Sequence, residues 1–462
     1  MAIEDDVTVI GGGLAGMTAA LAAAREGAAV RLLSHKDSTL KSASGLVDVL
    51  GYDLEGVDGD GNHTPLADPF DAIPDLPDSH PYRTVGLPTI REALALFDEA
   101  VGDRYRGGHT DRNALLPTHG GTVKPTARYP ASATAGVASD DRPALLVCFE
   151  TVTDFDASLA ADHLRAAEVP FEVRGETVRF PGEFRADAAR TRLADALDAN
   201  ERLELPSDSR GYAESLPARE ALAEVTKDHL RDEERVGFPA LLGQHAPDEV
   251  RADLEAELDA AVFEVPMGPP SIPGMRLEGA LRRACREAGV RFTTGNPVVG
   301  FDPAETGDSG RIGAVRVERN GAVLPFHADQ FVLATGGLVG KGVASDRDGV
   351  REPIFDCHVP HPADRYDWFE DDAFGDHPFA RFGVETDGQL RPLDADGDPE
   401  FPNLRAAGAV LGGYDFAAEK SGAGVSLATG LAAGRTAAEA VEAAQGAGEV
   451  DGIEETEEVE KP

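Results

Sequence analysis

A chain of 462 residues with 83 acidic against 43 basic side chains carries a net charge of −40; it is long enough for two or three domains, and its surface repels nucleic acid and anionic membrane. Only seven of the basic residues are Lys and the acids spread along the whole chain, so the charge reads as adaptation to a salt-rich cytoplasm, where a Debye length of about 3 Å at molar salt screens self-repulsion. Three scattered cysteines, Cys148, Cys285 and Cys357, offer no iron–sulfur or zinc spacing, no signal-peptide pattern opens the chain, and no apolar run approaches the ~20 residues of a membrane span.

The first predicted element is a strand ending Val7-Thr8-Val9-Ile10. It runs into Gly11-Gly12-Gly13-Leu14-Ala15-Gly16 and a helix from Leu14 to Glu26, with a second strand at Ala29–Leu33. A G-x-G-x-x-G between strand and helix is the context in which the pattern carries meaning. Gly11 permits the turn, Gly13 lets an anion approach the backbone, and Gly16 lets the helix pack on the sheet. The helix N-terminus at Leu14 and Ala15 offers free N–H groups and a positive dipole end to a phosphate.

A departure follows the second strand. Dinucleotide folds place Asp or Glu there to hold an adenosine ribose; this chain has Ser34-His35-Lys36. Two readings are open at this point, an altered FAD site or a mononucleotide such as FMN, with Asp37 in a shifted register as a further alternative. The small residues from Ser38 to Asp48, among them Ser44 and Gly45, leave room for a flat ring near the backbone. Residues 51–82 read as a surface excursion rich in Gly, Pro and Asp.

From 85 to 265 the pattern predicts an inserted α+β cap, substrate or docking domain, with helices at Ile90–Val101, Ala186–Leu203, Pro217–Arg235 and Asp248–Phe263 and a strand at Ala144–Phe149. His119 and His245 lie beside glycines in it. The dinucleotide-type fold resumes over 266–445. It has a helix at Met275–Ala288, a hairpin turning at Asn320-Gly321, and a buried strand Phe331–Leu333 that breaks into Ala334-Thr335-Gly336-Gly337. A third strand–glycine–helix pattern runs from Asn403 through Gly408 to Ser421-Gly422-Ala423-Gly424. The segment 446–462, acidic and without aromatics, reads as a disordered tail. Three glycine turns, each after an apolar strand, describe a doubly wound, Rossmann-like α/β flavin-binding domain interrupted by an insertion, with its first part at 1–84.

The chain resembles the B subunits of anaerobic glycerol-3-phosphate dehydrogenase, within the fumarate-reductase-like flavoproteins. The resemblance rests on Gly11–Gly16, Ser42–Asp48, Pro269–Leu277, Gly349-Val350-Arg351-Glu352-Pro353-Ile354, Phe382–Asp387 and Gly408–Asp415. It implies a respiratory complex that oxidises sn-glycerol 3-phosphate to dihydroxyacetone phosphate and passes electrons toward quinone. It also implies an FAD-containing sister subunit and an iron–sulfur subunit that anchors the pair to the inner face of the cell membrane, leaving this chain cytoplasmic. The resemblance associates this subunit with FMN, with FAD the alternative. Cofactor contacts are expected at Gly11, Gly13, Leu14, Ala15, Gly16, Ser34, Ser44, Gly45, Gly336, Gly408 and Gly424; no metal is expected. Arg276 and Arg351 are candidates for a substrate phosphate. His119 and His245 are candidate bases, and Tyr414 a residue that stacks by the ring or fills the core. No single catalytic residue is assigned.

Overall fold

Apolar side chains on both faces make strand β1, Ile3–Ile10, a central strand: Val7 and Val9 are fully buried and Ile10 nearly so. Helix α1, Leu14–Arg25, returns the chain to β2, Val30–Ser34, which pairs parallel to β1 from Val7 opposite Val30 to Ile10 opposite Leu33. The strand Arg291–Thr294 adds parallel to β2. On the other side of β1 runs Ala322–Leu333, parallel from Ile3 opposite Phe326 to Ile10 opposite Leu333. The far edge of that long strand is shared. Its first half pairs antiparallel with Ile312–Arg319, and its last three residues pair parallel with Leu404–Ala406. The hairpin turns at Asn320 and Gly321, with φ of 52° and 78°, the primed turn that the Asn-Gly pair predicts. The expected strand at Phe331–Leu333 is the end of this one continuous strand, not a separate element.

The computed structural model describes residues 3–57, 63–185, 189–205, 215–304, 310–373 and 375–457. They form two compact units, Met1–Ser38 with Phe70–Ala100 and Leu281–Pro462, and Thr39–Pro69 with Val101–Ala280. The second unit is therefore made of two chain segments, where the sequence predicts a single insertion at 85–265. Residues 70–100 belong to the dinucleotide-type unit. Their helix Pro81–Val101 starts before the expected Ile90 and is interrupted at Gly86, φ 78°.

In the first unit α1 is buried from Leu14 to Ala23 and lies against the helix Gly422–Glu457. Small residues set that spacing. A Cβ on Gly430 would come 2.6 Å from Ala15 O, and one on Gly434 2.2 Å from Ala19 O. The same helix continues to Glu457, through the segment from 446 expected to be a tail. Glu449, Glu454, Glu455 and Glu457 are good helix formers, and the segment extends a helix already formed upstream. Residues 458–462 lie outside the described residues.

The second unit carries a four-stranded sheet in the order Val173–Val178, Ala144–Phe149, Arg235–Pro239, Ala261–Val265. All its pairs are parallel, so this sheet is of α/β type, whereas the pattern predicts α+β. The expected helices are shorter than their sequence windows. Ala218–Lys227, Arg190–Asp198 and Pro247–Leu258 each stop before a strand that the helical periodicity had absorbed. The third ends at Asp259, whose left-handed φ of 50° halts the helix and releases Ala261–Val265.

Candidate functional site

The three glycine turns of the first unit lie against one another, the first against the second and the second against the third through backbone. Gly11 has φ 126°, and a Cβ there would sit 2.0 Å from Ala334 O, at the end of the long strand. A Cβ on Gly337, in the second turn, would come 2.6 Å from Ala409 O in the third. Gly408, φ 76°, would place its Cβ 2.6 Å from Ala15 Cβ, at the start of α1, and its N–H donates to Thr429 Oγ1 at 2.9 Å. Gly16 closes the first turn, since its Cβ would lie 1.9 Å from Gly11 O. Turn one meets turn two, turn two meets turn three, and turn three returns to the helix of turn one. At Gly11 and Gly337 the obstacle is neighbouring backbone, which cannot rotate away.

Gly13 is the exception. A Cβ there would meet nothing within 4 Å. It caps α1 in an extended conformation with no side-chain capping bond, and the first turn of the helix holds no acid. The helical ladder begins with Met17 N–H donating to Gly13 O at 3.0 Å, so the N–H groups of Leu14, Ala15 and Gly16 precede it. Nearby in sequence to the second turn, Thr335 Oγ1 is buried without a hydrogen-bond partner among the described residues. Open space at a glycine, free N–H groups and a positive helix end are what a nucleotide phosphate needs, and the residues present fit one.

Of the other expected contacts, Ser34 is buried at the end of β2, and a Cβ on Gly12 would come 2.9 Å from Ser34 Cβ, so the small side chain packs beneath the turn. His35, Lys36 and Asp37 are exposed. Gly336 lies in the second turn, where it folds back on Gly340. Gly424 is buried in the first turn of Gly422–Glu457. Ser44 and Gly45 belong to the second unit. Gly45 O accepts the Tyr105 hydroxyl at 2.7 Å, and a Cβ on Gly45 would come 2.7 Å from Pro273 Cβ. Its missing side chain is thus used by a packed proline of its own unit. Ser44 Oγ accepts the Leu46 N–H at 3.4 Å.

The arginine and histidine candidates fare differently. Arg276 turns inward and grips Glu264 with both ends of its fork, Nη1 to Oε2 at 2.6 Å and Nη2 to Oε1 at 2.9 Å, while Nε donates to Gly243 O. Burial alone would lift the Glu264 carboxyl, but the charge and hydrogen bonds of Arg276 outweigh it and hold it below its usual range. Its guanidinium is thus committed to a structural pair rather than offered to a substrate phosphate. Arg351 is exposed, 3.8 Å from Asp346. The neighbouring Glu352 is buried and accepts the N–H groups of Ile354 and Phe355 at 2.9 and 2.6 Å, so it organises a turn. His119 Nδ1 donates to Pro266 O at 3.2 Å. His245 lies beside Asp195 and Asp198, but both oxygens of Asp198 already accept the N–H groups of Gln244, His245 and Ala246. Tyr414 is buried, edge-on to His80 with centroids 5.5 Å apart. Sequence reasoning missed His80 and Glu419, which meet at 3.1 Å across 339 residues of chain. Glu419 reads as an ordinary helical acid, and no local signal pairs the two.

Residues 6–425 match the family model of the FAD binding domain. Over 441 residues the chain is 62% identical to a Halobacterium salinarum protein named as the probable B subunit of an anaerobic glycerol-3-phosphate dehydrogenase, covering 96% of this chain and 99% of that one. It is 30% identical to the B subunit of the Yersinia pestis anaerobic glycerol-3-phosphate dehydrogenase, covering 92% and 96%. Among solved structures, 3-ketosteroid delta1-dehydrogenase from Sterolibacterium denitrificans aligns at 12% identity and a TM-score of 0.41, over 96% of this chain and 100% of that one.

Proposed function

The chain belongs to the FAD-binding flavoprotein family and, within it, to the B subunits of anaerobic glycerol-3-phosphate dehydrogenase, and from that premise we propose that it is the FMN-carrying member of a respiratory complex oxidising sn-glycerol 3-phosphate to dihydroxyacetone phosphate. The carrying observation is the closed circuit of glycine turns around an open Gly13 at the head of α1. Leu14, Ala15 and Gly16 hold the phosphate through their N–H groups. Ser34, in place of an acid, leaves no ribose anchor at the end of β2 and favours the mononucleotide over FAD. A bound flavin supplies acceptance of two electrons. The chain's own residues orient it: the head of α1 takes the phosphate, and the Gly408 turn and the start of the Gly422–Glu457 helix wall the site.

The complex passes electrons toward quinone, and the partners of this chain in it are an FAD-containing sister subunit and an iron–sulfur subunit that holds the complex at the cytoplasmic face of the membrane. Among the described residues no helix is long and apolar enough to cross a bilayer. One observation favours a second reading, in which this chain relays electrons while substrate is held by the sister subunit. The fork of Arg276 is filled by Glu264, and Arg351 stands exposed. Adding glycerol 3-phosphate to the flavin-loaded chain distinguishes the two. Bleaching of the flavin by the chain alone supports its own substrate chemistry; bleaching only with the sister subunit present supports the relay. No bleaching in the assembled complex overturns both.

A further inference from the structure

A surface segment of the first unit, Asp364–Arg381, lies outside the glycine circuit. The 17 residues from Tyr366 to Phe382 hold six aromatic side chains, among them the only tryptophan of the chain, where an aromatic content of 6% predicts one. Phe374, one of the six, lies outside the described residues. Trp368 and Phe382 form an inner layer. Phe382 is buried, and the Trp368 ring stands edge-on to it with centroids 5.9 Å apart and edge-on to His361 at 5.7 Å. The Trp368 Nε1–H donates to Pro362 O at 2.7 Å. The remaining three face solvent: Tyr366, Phe369 and Phe379 are 65%, 47% and 41% exposed.

These three belong to one surface. The short helical turns Arg365–Trp368 and Pro378–Arg381 pack on each other. The Glu370 N–H donates to His377 Nδ1 at 3.1 Å, which leaves the ring hydrogen on Nε2 for Ala373 O at 3.3 Å. The His377 ring in turn stacks on Phe379, 15° from parallel with centroids 5.1 Å apart. The Arg365 guanidinium lies over the Tyr366 ring, 5.2 Å from its centroid. Such contacts hold the exposed rings before any partner arrives, so less side-chain freedom is lost on binding. Aromatic area left in water is unfavourable and returns little packing to the chain itself. It matches the buried centre of a protein interface, where Trp, Tyr and Phe are enriched and a few such anchors carry most of the affinity.

The rim has one sign. Six acids fall among the 18 residues Asp364–Arg381, nearly twice the density of the chain as a whole, against the two cations Arg365 and Arg381. Arg381 is paired with Asp376 at 2.7 Å. Asp367, Glu370 and Asp371 are exposed. A rim of this charge repels a second copy of the chain and an anionic membrane, and attracts a basic surface.

We propose that Tyr366, Phe369 and Phe379 are the anchors by which this chain docks a partner subunit of its complex, and that the facing surface of that subunit is an apolar pocket rimmed by arginine or lysine. The proposal rests on the reading of this chain as one subunit of a complex. The test compares the isolated full chain with the native complex, both in molar KCl, by hydroxyl-radical labelling read by mass spectrometry. In the isolated chain all three rings are labelled readily; in the complex all three are protected. This comparison needs no variant to fold. The double variant Tyr366→Ala/Phe369→Ala melts and binds FMN as the parent does, but associates with the other subunits at least about tenfold more weakly. Glu370→Lys with Asp371→Lys slows that association.

Rings labelled equally in the chain and in the complex overturn the proposal, as does a double variant that assembles with parental affinity. Association of the isolated chain with itself, or with vesicles of anionic lipid, that is lost in the double variant also overturns it, since the patch then serves a different occupant. A parent chain that purifies from its own cells with no other subunit overturns the underlying reading, and the proposal with it.

Discussion

Replacing Gly13 by Ala separates a glycine kept for a ligand from glycines kept for the fold. At Gly13 a Cβ would meet nothing within 4 Å, and φ −82° with ψ −171° is backbone that alanine adopts freely. The folded chain loses only the capping preference of glycine over alanine, about 0.5–1 kcal/mol, which lowers the melting temperature by roughly 1–4 °C. The bound state loses far more. The methyl group fills the space through which a phosphate reaches the N–H groups of the first turn. Forfeiting two charge-assisted hydrogen bonds at ~1.5–3 kcal/mol each weakens flavin binding by at least ~100-fold. Gly16→Ala is the contrasting variant. Its Cβ would lie 1.9 Å from Gly11 O, so fold and binding fail together. Thermal melting in molar KCl, read beside FMN titration by flavin fluorescence, measures both quantities. A folded Gly13→Ala protein that binds flavin as tightly as the parent refutes the placement of the phosphate at the head of α1.

Four further outcomes follow from the same structure. Arg276→Met leaves Glu264 buried with only Ser132 and the Leu242 N–H as partners, and is expected to cost about 3–5 kcal/mol in denaturant unfolding; a cost below about 1 kcal/mol contradicts the role assigned to the pair. Because the Glu264 carboxyl is depressed in the folded state relative to its ordinary 4.5, its contribution is full above that pH and is lost as pH falls below it. The parent should therefore lose stability on acidification more steeply than Glu264→Gln, and parallel acid profiles would contradict this. All three cysteines are buried, with the Cys285 thiol pushed up to about 12 by burial, so a thiol reagent should label none of them until the chain is unfolded. With a net charge of −40, dilution from molar KCl to 0.1 M lengthens the screening distance from about 3 to 10 Å and should lower the melting temperature, which an uncharged osmolyte does not restore to the same extent.

The parts of the fold legible in the sequence are those whose signal is local. Gly11, Gly13 and Gly16 sit between a β-branched strand and an alanine-rich helix, and α1 begins at Leu14 and ends at Arg25, one residue from its expected end. Asn320-Gly321 fixes its hairpin for the same reason. The second unit is harder to read because its parallel strands, such as Arg235–Pro239 and Ala261–Val265, are short and follow helices of similar composition. Periodicity alone extends the helix across them. Its boundary near Ser38 is not legible either, since the pairing of Lys124 with Asp48 at 2.6 Å and of Gly45 with Tyr105 is settled by contacts across many residues. Of the candidate site, the glycines are readable and their convergence can be inferred. The commitment of Arg276 to Glu264 and the His80–Glu419 pair cannot, because neither leaves a pattern along the chain.

The most direct test of the central claim is to purify the native protein in molar KCl, denature it, and weigh and count what it releases. One FMN per chain is the predicted result. A protein that releases no flavin and takes up none when FMN or FAD is supplied contradicts the account; release of FAD keeps the glycine cradle but overturns the choice of the mononucleotide.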